Sequence, residues 1–229
     1  DSRSLCFPEE TLFFALKSDR NDGQHYIPEL YRRGVRNFVV ESVPDNFSTL
    51  YTHANFLKVG NTLAALQQLT TCHRKAFDIP IVGITGSNGK TMVKEWLSQL
   101  LAYDKNVTRS PKSYNSQIGV PLSVWLLNES SQIGLIEAGI SKVGEMQALH
   151  DIIQPTVGVL TSLGAAHQEN FSSLEEKCNE KLLLFKGTQA LVYQLDDKIA
   201  AKCITAAHYD GQLLAWSEHD TTAAFYVNS

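Results

Sequence analysis

The sequence predicts an α/β protein in two parts. A small N-terminal α/β domain over residues 1–78 is followed by a P-loop-type central domain over 79–229 with a mostly parallel sheet, cut short at its end. Three observations predict this. A glycine-rich run, Gly83-Ile84-Thr85-Gly86-Ser87-Asn88-Gly89-Lys90-Thr91, sits between an apolar stretch and an amphipathic one. From residue 79 onward, short apolar runs alternate with loops and helical segments. Around residues 77–80 the pattern changes from the one unit to the other.

In the first part, strands are expected at 11–16, 37–41 and 55–59, where β-branched and aromatic residues gather. A polar stretch at 18–24 separates the first strand from a helix at 26–33, which Gly34 stops. Asn61 starts a second helix carrying Leu63, Leu66 and Leu69 three residues apart. In the second part, Ile79, Ile81, Val82 and Ile84 form a buried strand that runs into the glycine loop. Val93, Trp96, Leu97, Leu100 and Leu101 then make one helical stripe. Further strands are expected at 132–138, 156–161 and 189–195, and a helix at 173–185 buries Leu174, Cys178, Leu182 and Phe185. After about residue 204 the pattern is short and β-like.

The chain of 229 residues has room for one large domain or two modest ones. Its net charge of −4, with no dense Lys/Arg block, argues against a nucleic-acid partner. No apolar stretch approaches the length that spans a bilayer. Cys6, Cys72, Cys178 and Cys203 lie far apart and form no metal-type pair, so reduced thiols in a cytoplasmic protein are expected. The run from Asp1, without a methionine, to Ser229 reads as a piece of a longer protein.

The chemistry starts at the glycine loop. Glycine permits positive φ and close approach, so Gly86, Ser87, Asn88 and Gly89 can turn backbone N–H groups toward phosphate at a helix start. Lys90 adds a charge there, and the Thr91 hydroxyl can reach a magnesium ion. A strict P-loop has glycine where this chain has Ile84; a ligand-free glycine turn is the plain alternative. In a parallel sheet, ligands bind at the carboxyl ends of the strands, which brings loops 85–91, 137–144 and 161–170 to one edge. Glu137 ends a strand there and can hold a metal, or merely cap a helix. His167 follows another strand exit and can ligate a second divalent ion, or be structural. Lys181 sits on the helix at 173–185, where sequence physics alone expects a solvated surface charge. The polar loop Ser113-Tyr114-Asn115-Ser116-Gln117 suits a polar ligand.

Together these residues resemble the Mur ligase family, the ATP-dependent amide-bond-forming enzymes of bacterial cell-wall synthesis. The resemblance rests on Asp1-Ser2-Arg3, Thr11 to Leu16, Asp22-Gly23, the run from Gly83 to Thr91, Ile118-Gly119-Val120-Pro121, Ile136-Glu137-Ala138-Gly139, Gly144-Glu145, and Ala166-His167 before Phe171. The form of the loop is that of the branch that adds D-alanyl-D-alanine to UDP-N-acetylmuramoyl-tripeptide. The resemblance implies ATP and Mg2+, with Lys90 on phosphate and Thr91 and Glu137 on the magnesium. It further implies His167 on a second metal and Lys181 as a carbamylated lysine helping to hold that metal, although Leu183 stands where the family often has Glu. Ser2 and Arg3 would then lie in the uridine-nucleotide pocket, and Asn115 and Ser116 near the muramoyl peptide. Ser113 and Ser116 stand where that branch usually has asparagines, a pattern similar to ligases fused to an alanine racemase.

Residues 1–78 would bind the UDP-substrate and 79–229 the ATP. The family's third, C-terminal domain would be missing, so the fragment alone would bind nucleotide weakly and not ligate. A MurE-like ligase, a folylpolyglutamate synthetase, a non-catalytic nucleotide-binding relative, and a P-loop kinase or NTPase are the alternatives. The Asp1-Ser2-Arg3 run disfavours the folate enzyme, and Gly86-Ser87-Asn88 leans away from the MurE form. Glu137, His167 and Lys181 disfavour a pure binder, and Ile84 the kinase.

Overall fold

The structure is a computed structural model that describes residues 5–18, 21–164 and 168–228. The chain folds into two compact units, Asp1–Leu69 and Thr70–Ser229.

The first unit is built on a three-stranded parallel sheet. Its strands are β1 (Leu12–Phe14), β4 (Asn37–Val40) and β5 (Asn55–Lys58), in the order β1-β4-β5. A short antiparallel pair, β2 (Lys17–Ser18) and β3 (Asn21–Asp22), follows β1. Helix α1 (Ile27–Arg32) has a proline in its first turn and ends at Gly34, whose φ of 103° only glycine adopts readily. Ile27, Leu30, Val35, Phe38 and Val40 form the core, with Phe38 stacked on Phe56 at 5.2 Å. Helix α2 (Phe47–Leu50) is a single turn. Helix α3 (Thr62–Arg74) carries the chain across the division between the units.

The second unit holds a seven-stranded sheet, parallel throughout. Its strands are β6 (Ile81–Thr85), β7 (Val107–Arg109), β8 (Ile133–Glu137), β9 (Val157–Leu160), β10 (Ala190–Gln194), β11 (Gln212–Ser217) and β12 (Phe225–Tyr226). The order is β12-β11-β10-β9-β6-β8-β7, so the strand that enters the glycine loop is central. Every residue of β6 is buried, as expected of a strand covered on both faces. Its side chains alternate: Ile81 joins a large cluster with Val124, Ile136, Leu149, Ile153 and Phe185, while Val82 and Ile84 join Leu135, Leu97 and Leu101.

The connecting helices are α4 (Lys90–Leu101), α5 (Gly119–Val124), α6 (Met146–Ile153), α7 (Leu174–Leu182) and α8 (Lys198–Ala206). The helix expected at 173–185 stops at Leu182 and tightens into a 3₁₀ turn, Leu183–Phe185. Ile84, where a strict P-loop has glycine, is the fully buried fourth residue of β6 and pairs with Glu137 and Val159; the strand simply runs on to Thr85 before the loop begins. The stripe expected on α4 is corrected in part. Trp96 and Leu100 are 59% and 74% exposed, and the buried arc instead carries Lys94 and Ser98 between Leu97 and Leu101.

Candidate functional site

The parallel sheet brings three strand exits to one edge: the loop after β6, the turn after β8 and the segment after β9. The first is the glycine loop. Gly86 has φ 150°, and a Cβ there would meet Thr161 Oγ1 at 1.9 Å, so only glycine fits against the neighbouring strand exit. Gly89, at φ 83°, caps α4 in the left-handed region. The β9 exit braces the loop. Ser87 N donates to Ser162 O at 2.8 Å, Thr161 Oγ1 donates to Asn88 O at 2.6 Å, and Ser87 Oγ donates to Gly164 O at 3.1 Å. Asn88 itself is exposed.

Lys90 opens α4 and folds back over this loop, donating to Gly86 O at 2.8 Å and to Ser87 O at 3.2 Å. Lys181, from α7, donates to the same Gly86 O at 3.1 Å and is only 2% exposed. Two ammonium groups therefore share one neutral oxygen. Burial, and then the charges of Lys90 and Lys177, push the Lys181 pKa down to about 7. Burial also lowers Lys90, with Glu137 opposing the shift and Lys177 adding to it. A site with this surplus of positive charge is suited to an anion. The solvated surface charge that sequence physics alone assigns to Lys181 is thus corrected, because α7 is buried along the arc of Lys177, Cys178, Glu180 and Lys181.

Beside the lysines lies a pair of hard oxygen donors. Thr91 Oγ1 donates to Glu137 Oε2 at 3.1 Å, and Ser113 Oγ is 3.1 Å from the same hydroxyl. Glu137 ends β8, is fully buried and caps no helix. Asn115 Nδ2 reaches Glu137 Oε2 at 3.4 Å. A carboxylate and a hydroxyl in contact beside a phosphate-type loop fit magnesium, which binds few protein oxygens and takes the rest of its shell from phosphates and water. Among the described residues, no group of three His, Cys, Asp or Glu is arranged to hold a metal. Ser116 is exposed, and its Oγ accepts from Gly119 N at 3.2 Å at the start of α5. Ser2, Arg3 and His167 lie outside the described residues.

Three buried charges at this edge were not singled out in the sequence. Lys94 is fully buried on α4 and meets Glu137 Oε1 at 3.0 Å, a charge pair without a well-directed hydrogen bond. Lys177 is 1% exposed and donates to Gly164 O at 2.6 Å. Glu180 Oε1 accepts from Gly144 N at 2.9 Å and Met146 N at 3.0 Å, tying α7 to the loop before α6. A usable signal was present: Lys94 falls one turn after Lys90, inside the apolar arc of α4, and Lys177 one turn before Lys181.

Comparison with known proteins gives the same direction. Residues 84–227 match the family described as the Mur ligase middle domain. The chain is 30% identical to the UDP-N-acetylmuramoyl-tripeptide--D-alanyl-D-alanine ligase of Bacillus subtilis, covering 99% of this chain and 51% of that protein. It is similar in structure to MurF from Acinetobacter baumannii, with TM-score 0.84 and 26% identity over 96% of this chain and 47% of that one. It is also similar to MurF ligase from Thermotoga maritima in complex with ADP, with TM-score 0.82 and 28% identity over 96% of this chain and 50% of that one. The chain thus spans about half the length of these relatives. The matched residues take in the glycine loop, Glu137 and the helix of Lys181, and the chain belongs to the Mur ligase family.

Proposed function

We propose that the protein carrying this chain is a cytoplasmic ATP-dependent ligase of peptidoglycan synthesis that joins D-alanyl-D-alanine to UDP-N-acetylmuramoyl-tripeptide. One observation carries the reading: the Lys90 ammonium folds back onto Gly86 O beside the Thr91–Glu137 oxygen pair, with the Lys181 nitrogen on the same carbonyl. That is a receptacle for a terminal phosphate with its cation. The name of the Bacillus relative and the ADP of the Thermotoga structure support the substrate and the nucleotide.

In the proposed reaction a carboxylate oxygen of the tripeptide attacks the γ-phosphorus of ATP and ADP leaves, giving an acyl phosphate. The amine of D-alanyl-D-alanine then attacks the acyl carbon, phosphate departs and the nitrogen loses its proton. Both reactants of the first step are anions, so the work of the site is positioning and charge compensation. The loop amides of Gly86, Asn88 and Gly89 would cradle phosphate, with Ser87 bracing the loop through its amide on Ser162 O, and Lys90 would draw charge toward the γ-phosphate. Thr91 and Glu137 would hold Mg2+, which when bound supplies positive charge between the phosphates. His167 and a carbamate on Lys181 would hold a second metal. Burial favours the neutral Lys181 amine, the form that adds to carbon dioxide with loss of a proton. Asn115 and Ser116 would lie by the muramoyl peptide, and Ser2 and Arg3 by the uridine nucleotide. Residues 1–78 would serve the UDP-substrate and 79–229 the ATP, with an alanine racemase as the fused partner that the Ser113 and Ser116 pattern favours.

A phosphate-release assay tests this in the protein carrying the chain, with and without UDP-tripeptide and D-alanyl-D-alanine. Release that needs both substrates is expected. ATP turnover indifferent to both would overturn the ligase reading in favour of a simple NTPase. The 229-residue chain alone is expected to bind nucleotide without ligating.

A further inference from the structure

Among the buried charges at the carboxyl edge, Lys94 is the one whose contacts are most fully defined. Its ammonium is fully buried, donates to Ser110 O at 2.7 Å and to Lys112 O, and lies 3.0 Å from Glu137 Oε1 and 3.1 Å from Glu95 Oε1. Those acceptors come from three separate pieces of chain: α4 itself, the exit of β7 and the end of β8. Two of its three protons go to those carbonyls and two carboxylates lie within 3.1 Å, so it is not a spare phosphate ligand.

The contacts sort the two oxygens of Glu137. Oε1 faces Lys94, whereas Oε2 faces Thr91 at 3.1 Å and Asn115 at 3.4 Å. The same lysine fixes the segment after β7. Ser110 also accepts from Glu137 N through its Oγ at 3.1 Å, and three residues on Ser113 reaches Thr91 Oγ1 at 3.1 Å. A row of alternating charges runs inward: Arg109 pairs with Glu95 at 3.2 Å, Glu95 with Lys94, and Lys94 with Glu137. Exposure falls along it from 41% and 34% at the outer pair to 0% at the inner one, so the row ends on a buried carboxylate beside a hydroxyl.

We propose that Lys94 is a positioning residue for the divalent-cation site: it holds Glu137 by one oxygen so that the other faces Thr91, and it clamps residues 110–112 alongside. This rests on the reading that Thr91 and Glu137 take the metal. Groups that orient a metal ligand from behind change metal affinity about 10–100-fold when removed. The effect therefore belongs to the cation more than to the nucleotide, whose phosphates meet loop amides that Lys94 does not touch.

The test uses the full chain and Mn2+ as probe. Mn2+ binding to the ADP complex is followed by electron paramagnetic resonance, and ADP binding in EDTA by calorimetry. Lys94→Met is expected to weaken Mn2+ about tenfold or more while metal-free ADP affinity stays within about twofold. Glu95→Gln, one step further out, is expected to show a smaller loss, and the exposed Lys105→Met none. Wild-type Mn2+ affinity in Lys94→Met would overturn the proposal. Should Glu137→Gln also leave Mn2+ binding untouched, the metal reading itself fails rather than this step alone. If Lys94→Met loses ADP in EDTA, Lys94→Gln replaces it, since the amide keeps a donor for the carbonyls of residues 110 and 112. A folded Gln variant with weakened Mn2+ supports the proposal. One with unchanged Mn2+, or one that cannot bind ADP without metal, overturns it.

Discussion

The two edges of the seven-stranded sheet handle buried charge in opposite ways. At the amino edge the buried ion is Arg74. Its guanidinium donates to Ile153 O at 2.9 Å, Phe77 O at 2.6 Å and Gln154 O at 3.2 Å, closing the end of α6. A cavity of about 660 Å³ at that edge is lined by Leu182, Leu191, Ile204 and Tyr209 among others, and the Thr188 and Tyr209 hydroxyls on its wall bond to each other. At the carboxyl edge Lys90, Lys94, Lys177 and Lys181 crowd a few carbonyls and the carboxylates of Glu95 and Glu137, and two of them share Gly86 O. Arg74 spreads its charge over three separate carbonyls, one for each guanidinium nitrogen. At the lysine edge two side-chain nitrogens share one carbonyl, an arrangement to which an anionic ligand would add counter-charge.

Six substitutions sharpen or break that contrast, from the largest effect down. Glu137→Gln removes the buried partner of the Lys94 ammonium and leaves only the part-exposed Glu95 beside it, and a loss of about 3–5 kcal/mol is expected in denaturant melts. Adding Lys94→Met should recover part of that loss, because removing both partners costs less than orphaning one. A double variant no better than the single would mean the pair is not coupled.

Lys181→Met acts through pH. The folded pKa is depressed to about 7 from 10.5, so the cost of holding the ammonium is fully present below about pH 7. It fades as pH rises toward the unfolded value. The methionine variant should gain most over wild type near pH 6, by at most about 4 kcal/mol more than near pH 10. A stability difference flat with pH would contradict the buried ammonium. Lys90→Met is expected to cut ATP turnover about 10²–10³-fold, equivalent to about 3–4 kcal/mol, with the fold intact.

Arg74→Met should lower stability by about 2 kcal/mol through three orphaned carbonyls, yet leave nucleotide affinity unchanged. A drop in affinity would show that the amino edge communicates with the loop. Trp96→Gln, on the exposed face of α4, should change stability by less than about 0.5 kcal/mol. A larger loss would show that this face is covered.

The strand-loop-helix order around Gly86 was legible because local spacing determines it: an apolar run, glycines, then a helical period. Glu137 was legible because it ends such a run. Trp96 and Leu100 misled, since periodicity finds an apolar stripe without saying which part of it meets the sheet. The one-turn spacings of Lys94 from Lys90 and Lys177 from Lys181 were visible, but the burial of Lys94, Lys177 and Lys181 was not, for a related reason. Their partners, Glu137, Gly164 and Gly86, come from distant strands, and residue type alone places a helix lysine in water. The α8, β11 and β12 region was faint because β11 runs from exposed to buried without alternating and β12 is a two-residue exposed strand.

The strand order bears on how the chain acquires its shape. β6 is flanked by β8 and β9, neither of which exists when β6 leaves the ribosome. The glycine loop that follows β6 is thus among the first parts of its unit to be made and among the later ones to be secured. Parallel pairing across long crossovers is slow, because chain closure precedes any reward from contact. An apolar strand without neighbours during that wait is a point of exposure to aggregation or to chaperones, set by topology and not by final stability.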